Sequence, residues 1–166
     1  MFGSVGSFFY KHLLGVTPLE PGYSRLRVRP AVVSHPNLTH AAGTVATPLG
    51  ACVVAWATNA SCAGTRSPVY ELKVTVPVGA SALVTVPLSI KPHNATGTSR
   101  PGPSTRDRDR GPALTARISE SGRAVWSAGK YTAGVAGITS AALGGAGDGV
   151  EFNIGSGQYH FALLTM

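Results

Sequence analysis

A chain of 166 residues suffices for one domain, or one domain with an appendage, and can bury a core without disulfide support. Gly 21, Pro 12, many Val, Thr and Ala and only 13% charged residues argue against a helical bundle and for short strands joined by turns. The formal charge of +7 favours encounter with anionic surfaces without naming a partner, and no run approaches the ~18 apolar residues of a membrane span.

The first segment, "SVGSFFYKHLLGVTP", is the one good helix. Ser4 is its expected N-cap, Val5, Phe8, Phe9 and Leu13 recur at helical spacing, Gly15 stops it and Pro18 lies just beyond. A single short helix cannot bury two phenylalanines by itself. It must dock on a sheet or on helices from elsewhere.

From residue 22 onward alternation replaces the helical period. In "PGYSRLRVRP", Arg25, Arg27 and Arg29 alternate with Leu26 and Val28, so the arginines are expected on the outer face of a strand. "LTHAAGTVAT" and "GACVVAWA" follow, joined by a "TPLG" turn. In "YELKVTV" the set Tyr70, Leu72, Val74 and Val76 faces one way and Glu71, Lys73 and Thr75 the other, as a half-buried antiparallel strand requires. "SALVTVP" comes next.

Residues 89–112 are rich in Pro, Gly, Ser, Thr and alternating Arg and Asp with little to bury, and are expected to be a disordered insertion. Strands resume with "ALTARIS" and "RAVW" around an "ESG" turn. A glycine- and alanine-rich stretch near 131–147 is read as a connection. "VEFNI" and "QYHFALL" close the chain, with "GSG" between them expected to form a hairpin and Tyr159, Phe161 and Leu163 on one face. Sequential strands with short turns imply a sandwich.

Chemistry-bearing motifs are scarce. The seven acids include Glu71 on a strand face, Glu120 in a turn, and Asp107 and Asp109 between arginines, all expected to be solvated. The five histidines show no H-x-x-x-H and the cysteines no C-x-x-C, so neither a metal nor a cofactor is expected. Ser156 lies in a turn and not in a G-x-S-x-G elbow. The glycines at 144, 145, 147 and 149 are not followed by G-K-[ST]. Tyr23 is the one aromatic near the strand arginines, too few for a nucleic-acid groove.

Three of the four asparagines, Asn37, Asn59 and Asn94, open N-x-[ST] sequons, and Cys52 and Cys62 could pair in an oxidising compartment or remain two buried thiols. Both features suggest a secreted glycoprotein. The first twenty residues nevertheless lack a basic n-region, and Lys11 and His12 interrupt the apolar run, so no signal peptide is recognised and Met1 is expected to lie inside a longer polypeptide.

Read as a whole, FGSVG with its helix, PGY followed by R-x-R-P, the TPLG turn, TVPVGASALVTVP, and the closing ESG and GSGQYHF resemble, in order, the C-terminal end of bacterial-type α-L-rhamnosidases. These are glycoside hydrolases that remove terminal L-rhamnose with inversion. The resemblance covers most of the chain outside 89–112 and 131–147. It implies that residues 1–16 are the last helix of an (α/α)6 barrel, whose core would take Val5, Phe8, Phe9 and Leu13, and that 17–166 are the β-sandwich packing on it. The family's acid and base are barrel carboxylates preceding Met1, so none is carried over and the chain alone is expected to be inactive.

Two other readings stay open at the level of sequence. A free-standing carbohydrate-binding or adhesion sandwich would need exposed aromatics, for which Trp56, Trp126 and Tyr131 are the candidates, with Trp56 better placed in a core. A diverged active site would need Glu120 and Glu151 to converge in one pocket.

Overall fold

The computed structural model describes residues 3–32, 37–59, 67–88, 90, 116–145 and 148–165. The helix α1 (Gly3–Phe8) runs directly into a π-helical turn at Phe9–Leu13, which closes with the Leu14 amide donating to the Phe9 carbonyl at 2.9 Å. Among the described residues twelve strands follow: β1 (Val16–Pro18), β2 (Arg25–Val28), β3 (His40–Thr47), β4 (Gly50–Thr58), β5 (Tyr70–Val76), β6 (Ser81–Pro87), β7 (Ala116–Glu120), β8 (Arg123–Ser127), β9 (Lys130–Tyr131), β10 (Ile138–Leu143), β11 (Gly149–Ile154) and β12 (Gly157–Thr165).

The strands form two sheets, of order β1-β2-β6-β11-β10 and β3-β4-β5-β12-β7-β8-β9. The protein is mainly β, as expected. Among the described residues all pairings are antiparallel but one, that of β2 and β6, which run parallel from Arg25 opposite Ser81 to Val28 opposite Val84. The alternation seen in the sequence decides what each sheet buries. Leu26, Val28, Val84, Val86, Val150 and Phe152 line the inner face of the first sheet, and Val54, Leu72, Phe161 and Leu163 that of the second, all at 0% exposure. Phe152 and Phe161 meet across the interior with ring centroids 4.9 Å apart. Removing this set from water, at ~25 cal/mol per Å2 of apolar surface, is the main driving force holding the two sheets together.

Two turns are as the sequence implies. Thr47 pairs with Gly50 across Pro48 and Leu49, and Glu120 with Arg123 across Ser121 and Gly122. Ser121 and Gly122 both have positive φ, 47° and 85°, the backbone of a tight hairpin whose twist matches its strands.

Other expectations are corrected. The "GSG" segment is not a hairpin: β11 pairs with β6 and β10, whereas β12 pairs with β5 and β7, so the chain crosses between sheets at this corner. A sandwich core needs inward faces from both layers, and the crossover delivers Phe152 and Phe161 to opposite walls. The stretch read as a connection near 131–147 contains the end of β9 and all of β10, where backbone pairing to β11 holds small residues with few side chains to bury. Residues 89–112 lie outside the described residues, apart from Ile90.

Candidate functional site

Gly15 lies between the π-turn and β1. Its φ is +69°, and a Cβ there would run into the Arg29 carbonyl, so only glycine brings the helix this close to the end of β2. The Arg29 amide donates to the Gly15 carbonyl at 2.9 Å and the Ala31 amide to the His12 carbonyl at 2.9 Å. The Trp56 indole N–H donates to the Leu13 carbonyl at 2.7 Å, and Leu14 is buried against Gly43. The helix is therefore held to the sandwich by its C-terminal end.

Its apolar stripe is left bare. Val5, Phe8 and Phe9 are 54%, 52% and 50% exposed, Tyr10 is 48% exposed, and Leu13 is half-buried. The Phe8 ring makes an edge contact with Phe9 at 6.1 Å and lies 5.2 Å from the His12 ring, so the aromatic groups cluster on each other and not on the sheets. A contiguous bare aromatic patch on one element marks a surface built to be covered.

Beside the helix end lies a groove of about 650 Å3 between Lys11 and His12 and the outer face of the five-stranded sheet at Arg27, Arg29 and Thr85. The arginines point outward as expected, with distinct partners. Arg25 donates to Asn153 Oδ1 at 3.1 Å and Arg29 pairs with Asp148 at 2.8 Å, while Leu26 and Val28 are fully buried.

The remaining candidates are dispersed. Trp56 and Trp126 are 2% and 3% exposed, so neither offers a stacking face, and Tyr131 is half-buried with its hydroxyl donating to the Ile138 carbonyl at 3.2 Å. A bulge between Ile118 and Ser119 opposite β8 turns both Val125 and Trp126 inward, which strict alternation would not allow.

Glu120, expected in a solvated turn, is the last residue of β7 and buried, opposite Phe161 on the inner side; its Oε1 accepts from the Ser121 hydroxyl at 2.7 Å. The alternation of Ala116, Ile118 and Glu120 carried that signal. Glu151 lies on the outer face of the other sheet, in register with Thr85, so the two carboxylates do not converge. Burial, then the Glu120 charge, push the Tyr159 hydroxyl pKa up, and the hydroxyl donates to the Gly155 carbonyl at 3.2 Å. Glu71 faces His160 across β5 and β12 at 3.5 Å.

Asn37 and Asn59 are exposed, whereas Asn94 lies outside the described residues. Cys52 is fully buried and its thiol pKa is pushed up to about 11 by burial; Cys62 lies outside the described residues. Among the described residues no group of three or more His, Cys, Asp or Glu could hold a metal ion, and no helix is long and apolar enough to cross a membrane.

Residues 15–99 match the family model of the bacterial alpha-L-rhamnosidase C-terminal domain. The chain belongs to this family. Among related sequences, an alpha-L-rhamnosidase of Alteromonas sp. (strain LOR) is 32% identical over 81 residues, covering 49% of this chain and 8% of that relative. The alpha-L-rhamnosidase of Dictyoglumus thermophilum superposes with a TM-score of 0.64 at 18% identity, covering 99% of this chain and 14% of the other. That of Streptomyces avermitilis, solved with L-rhamnose, gives 0.53 at 20% identity, covering 97% and 11%. These two likenesses establish the rhamnosidase C-terminal fold. The chain spans a small fraction of each relative's length, as a C-terminal domain of a larger rhamnosidase does.

Proposed function

We propose that this chain is the non-catalytic C-terminal β-sandwich of an α-L-rhamnosidase-like glycoside hydrolase, with residues 1–16 completing the (α/α)6 catalytic barrel and 17–166 bracing it. The observation that carries this reading is the half-exposed stripe Val5, Phe8 and Phe9 on a helix anchored to the sandwich by the Trp56 to Leu13 hydrogen bond. A rigidly held apolar stripe is what a terminal barrel helix needs, since its outer neighbours supply the rest of its burial. The parent enzyme would hydrolyse terminal α-L-rhamnosyl linkages with inversion, one barrel carboxyl protonating the leaving oxygen and another activating water. Neither role falls to Glu120 or Glu151, which face different sides of the sandwich.

The three sequons and the cysteine pair support a secreted, glycosylated parent acting on rhamnose-containing glycans. The test is hydrolysis of an aryl α-L-rhamnoside by the 166-residue chain. No turnover above buffer is expected. Turnover that disappears in Glu120→Gln or Glu151→Gln would overturn the non-catalytic assignment.

A further inference from the structure

The groove beside the helix end is walled by donors. Lys11 reaches it from the π-turn, Arg27 from β2, Arg29 from just beyond β2, and Thr85 from β6. Among the described residues one carboxylate lines the groove, that of Asp148, which is engaged with Arg29 at 2.8 Å, and the Asp148 carbonyl is tied to the Leu88 amide at 3.1 Å. Among the described residues neither Lys11 nor Arg27 takes part in an ion pair.

Thr85 supplies the independent sign of a ligand. It is 6% exposed, and its hydroxyl is buried with no hydrogen-bond partner. The inner face of β6 carries Val84 and Val86, so Thr85 faces outward, into the groove. An unsatisfied buried hydroxyl is costly, and native structures retain such groups where something else satisfies them. An ammonium, two guanidinium groups and a hydroxyl line one groove whose Asp148 carboxylate is paired with Arg29, a cationic excess that matches the oxygens of an anion, because charge-assisted bonds to such oxygens are the strong ones. The groove's volume lies in the range of small-molecule sites.

We propose that this groove is an oxyanion-binding site, formed by Lys11, Arg27, Arg29 and Thr85, for a phosphate or a sugar-borne carboxylate. Asp148 acts as a positioning residue, holding the Arg29 guanidinium over the floor of the groove. Lys11 belongs to the segment read above as part of the barrel, so the site lies at the seam between that segment and the sheet's outer face; it does not use the aromatic stripe, and anion titration tests it separately from barrel docking.

The test uses the 166-residue chain, titrated with inorganic phosphate and separately with D-glucuronate, against D-glucose and sodium chloride at matched ionic strength. Melting temperature and backbone amide shifts are read together. A saturable rise in Tm with either anion is expected, with shifts centred on Arg27 and Thr85. Arg27→Gln and Thr85→Val should each weaken binding at least fivefold. Tighter glucuronate binding would identify a carboxylate sugar as the natural class, and tighter phosphate binding a phosphate. Thr85→Val also removes an orphan hydroxyl, so the variant should fold and melt no lower than the parent without ligand, which separates loss of binding from loss of structure. A response that sodium chloride reproduces, or one that survives both substitutions, would overturn the site.

Discussion

The Trp56 indole N–H, near the open end of the β3–β4 hairpin, donates to the Leu13 carbonyl at the end of the π-turn at 2.7 Å, a side-chain tether between helix and sandwich. Trp56 is 2% exposed, so its N–H has no water to fall back on once Leu13 moves away. Trp56→Phe keeps an aromatic ring and removes the donor. It should cost about 1–2 kcal/mol and speed tryptic cleavage after Lys11. An unchanged cleavage rate would mean that the Ala31 and Arg29 backbone bonds suffice to hold the helix.

The bare stripe should govern association. Val5, Phe8 and Phe9 contribute little to the folded domain because each is at least half exposed, so Val5→Ser with Phe8→Ser and Phe9→Ser should leave Tm nearly unchanged. Light scattering should show the parent chain self-associating and the triple variant shifted toward monomer. Truncation at Pro21 is a poorer probe, since it also removes Leu14, Val16 and strand β1 from the core. A triple variant that associates as strongly as the parent would refute the docking role of the stripe.

Tyr70 is fully buried with its hydroxyl unpartnered, and burial pushes its pKa upward. Tyr70→Phe deletes the unsatisfied group and keeps the ring. Chemical denaturation should show a gain of about 1 kcal/mol. A loss of stability would reveal a hydrogen bond to water that reaches this position.

Gly15→Ala tests the seam between helix and β2. The new Cβ would meet the Arg29 carbonyl, and the positive φ of 69° would itself be strained. A loss exceeding about 2 kcal/mol is expected, with broadened amide signals along β1 and β2. A near-neutral outcome would show that the helix end can move away from the sheet.

Cys52 connects burial to pH. Burial raises its thiol from 9.0 to about 11, so between those values the unfolded chain loses a proton that the folded chain keeps. That contribution is complete below pH 9 and is lost as pH rises toward 11, lowering stability by an amount on the order of 2 kcal/mol. In a Cys62→Ser background, folded protein at pH 8 should leave Cys52 unmodified by a thiol reagent, and denaturant should release one reactive thiol. Rapid labelling of the folded form would contradict the buried placement.

Much of the fold was legible because alternation in this sequence is strict where it matters. Tyr70, Leu72, Val74 and Val76 could have only one buried face, and the β3–β4 and β7–β8 turns announced themselves by Pro48 and Gly122. The order of motifs from FGSVG to GSGQYHF was enough to point to the rhamnosidase C-terminal domain family that the chain belongs to. β10 was not legible, since between Ile138 and Leu143 this edge strand holds only Thr, Ser and Ala, is defined by backbone bonds to β11 and carries little hydrophobic signal. The groove was legible only in part. The arginine alternation put the cations on an outer face, whereas Thr85 in "SALVTVP" reads like any outward threonine.

By itself, then, the sequence determined the buried faces of strongly alternating strands such as β5 and the tight turns at Pro48 and Gly122, because both follow from local periodicity and backbone sterics, whereas the burial of Glu120 and the crossover at GSG did not. Only the tertiary structure decided that Phe152 and Phe161 oppose each other from different sheets, that a bulge turns Trp126 inward, and that Lys11, Arg27 and an orphan Thr85 hydroxyl share one groove. Those are pairings between segments far apart along the chain, and their register is set by how two whole sheets pack, which no local pattern encodes.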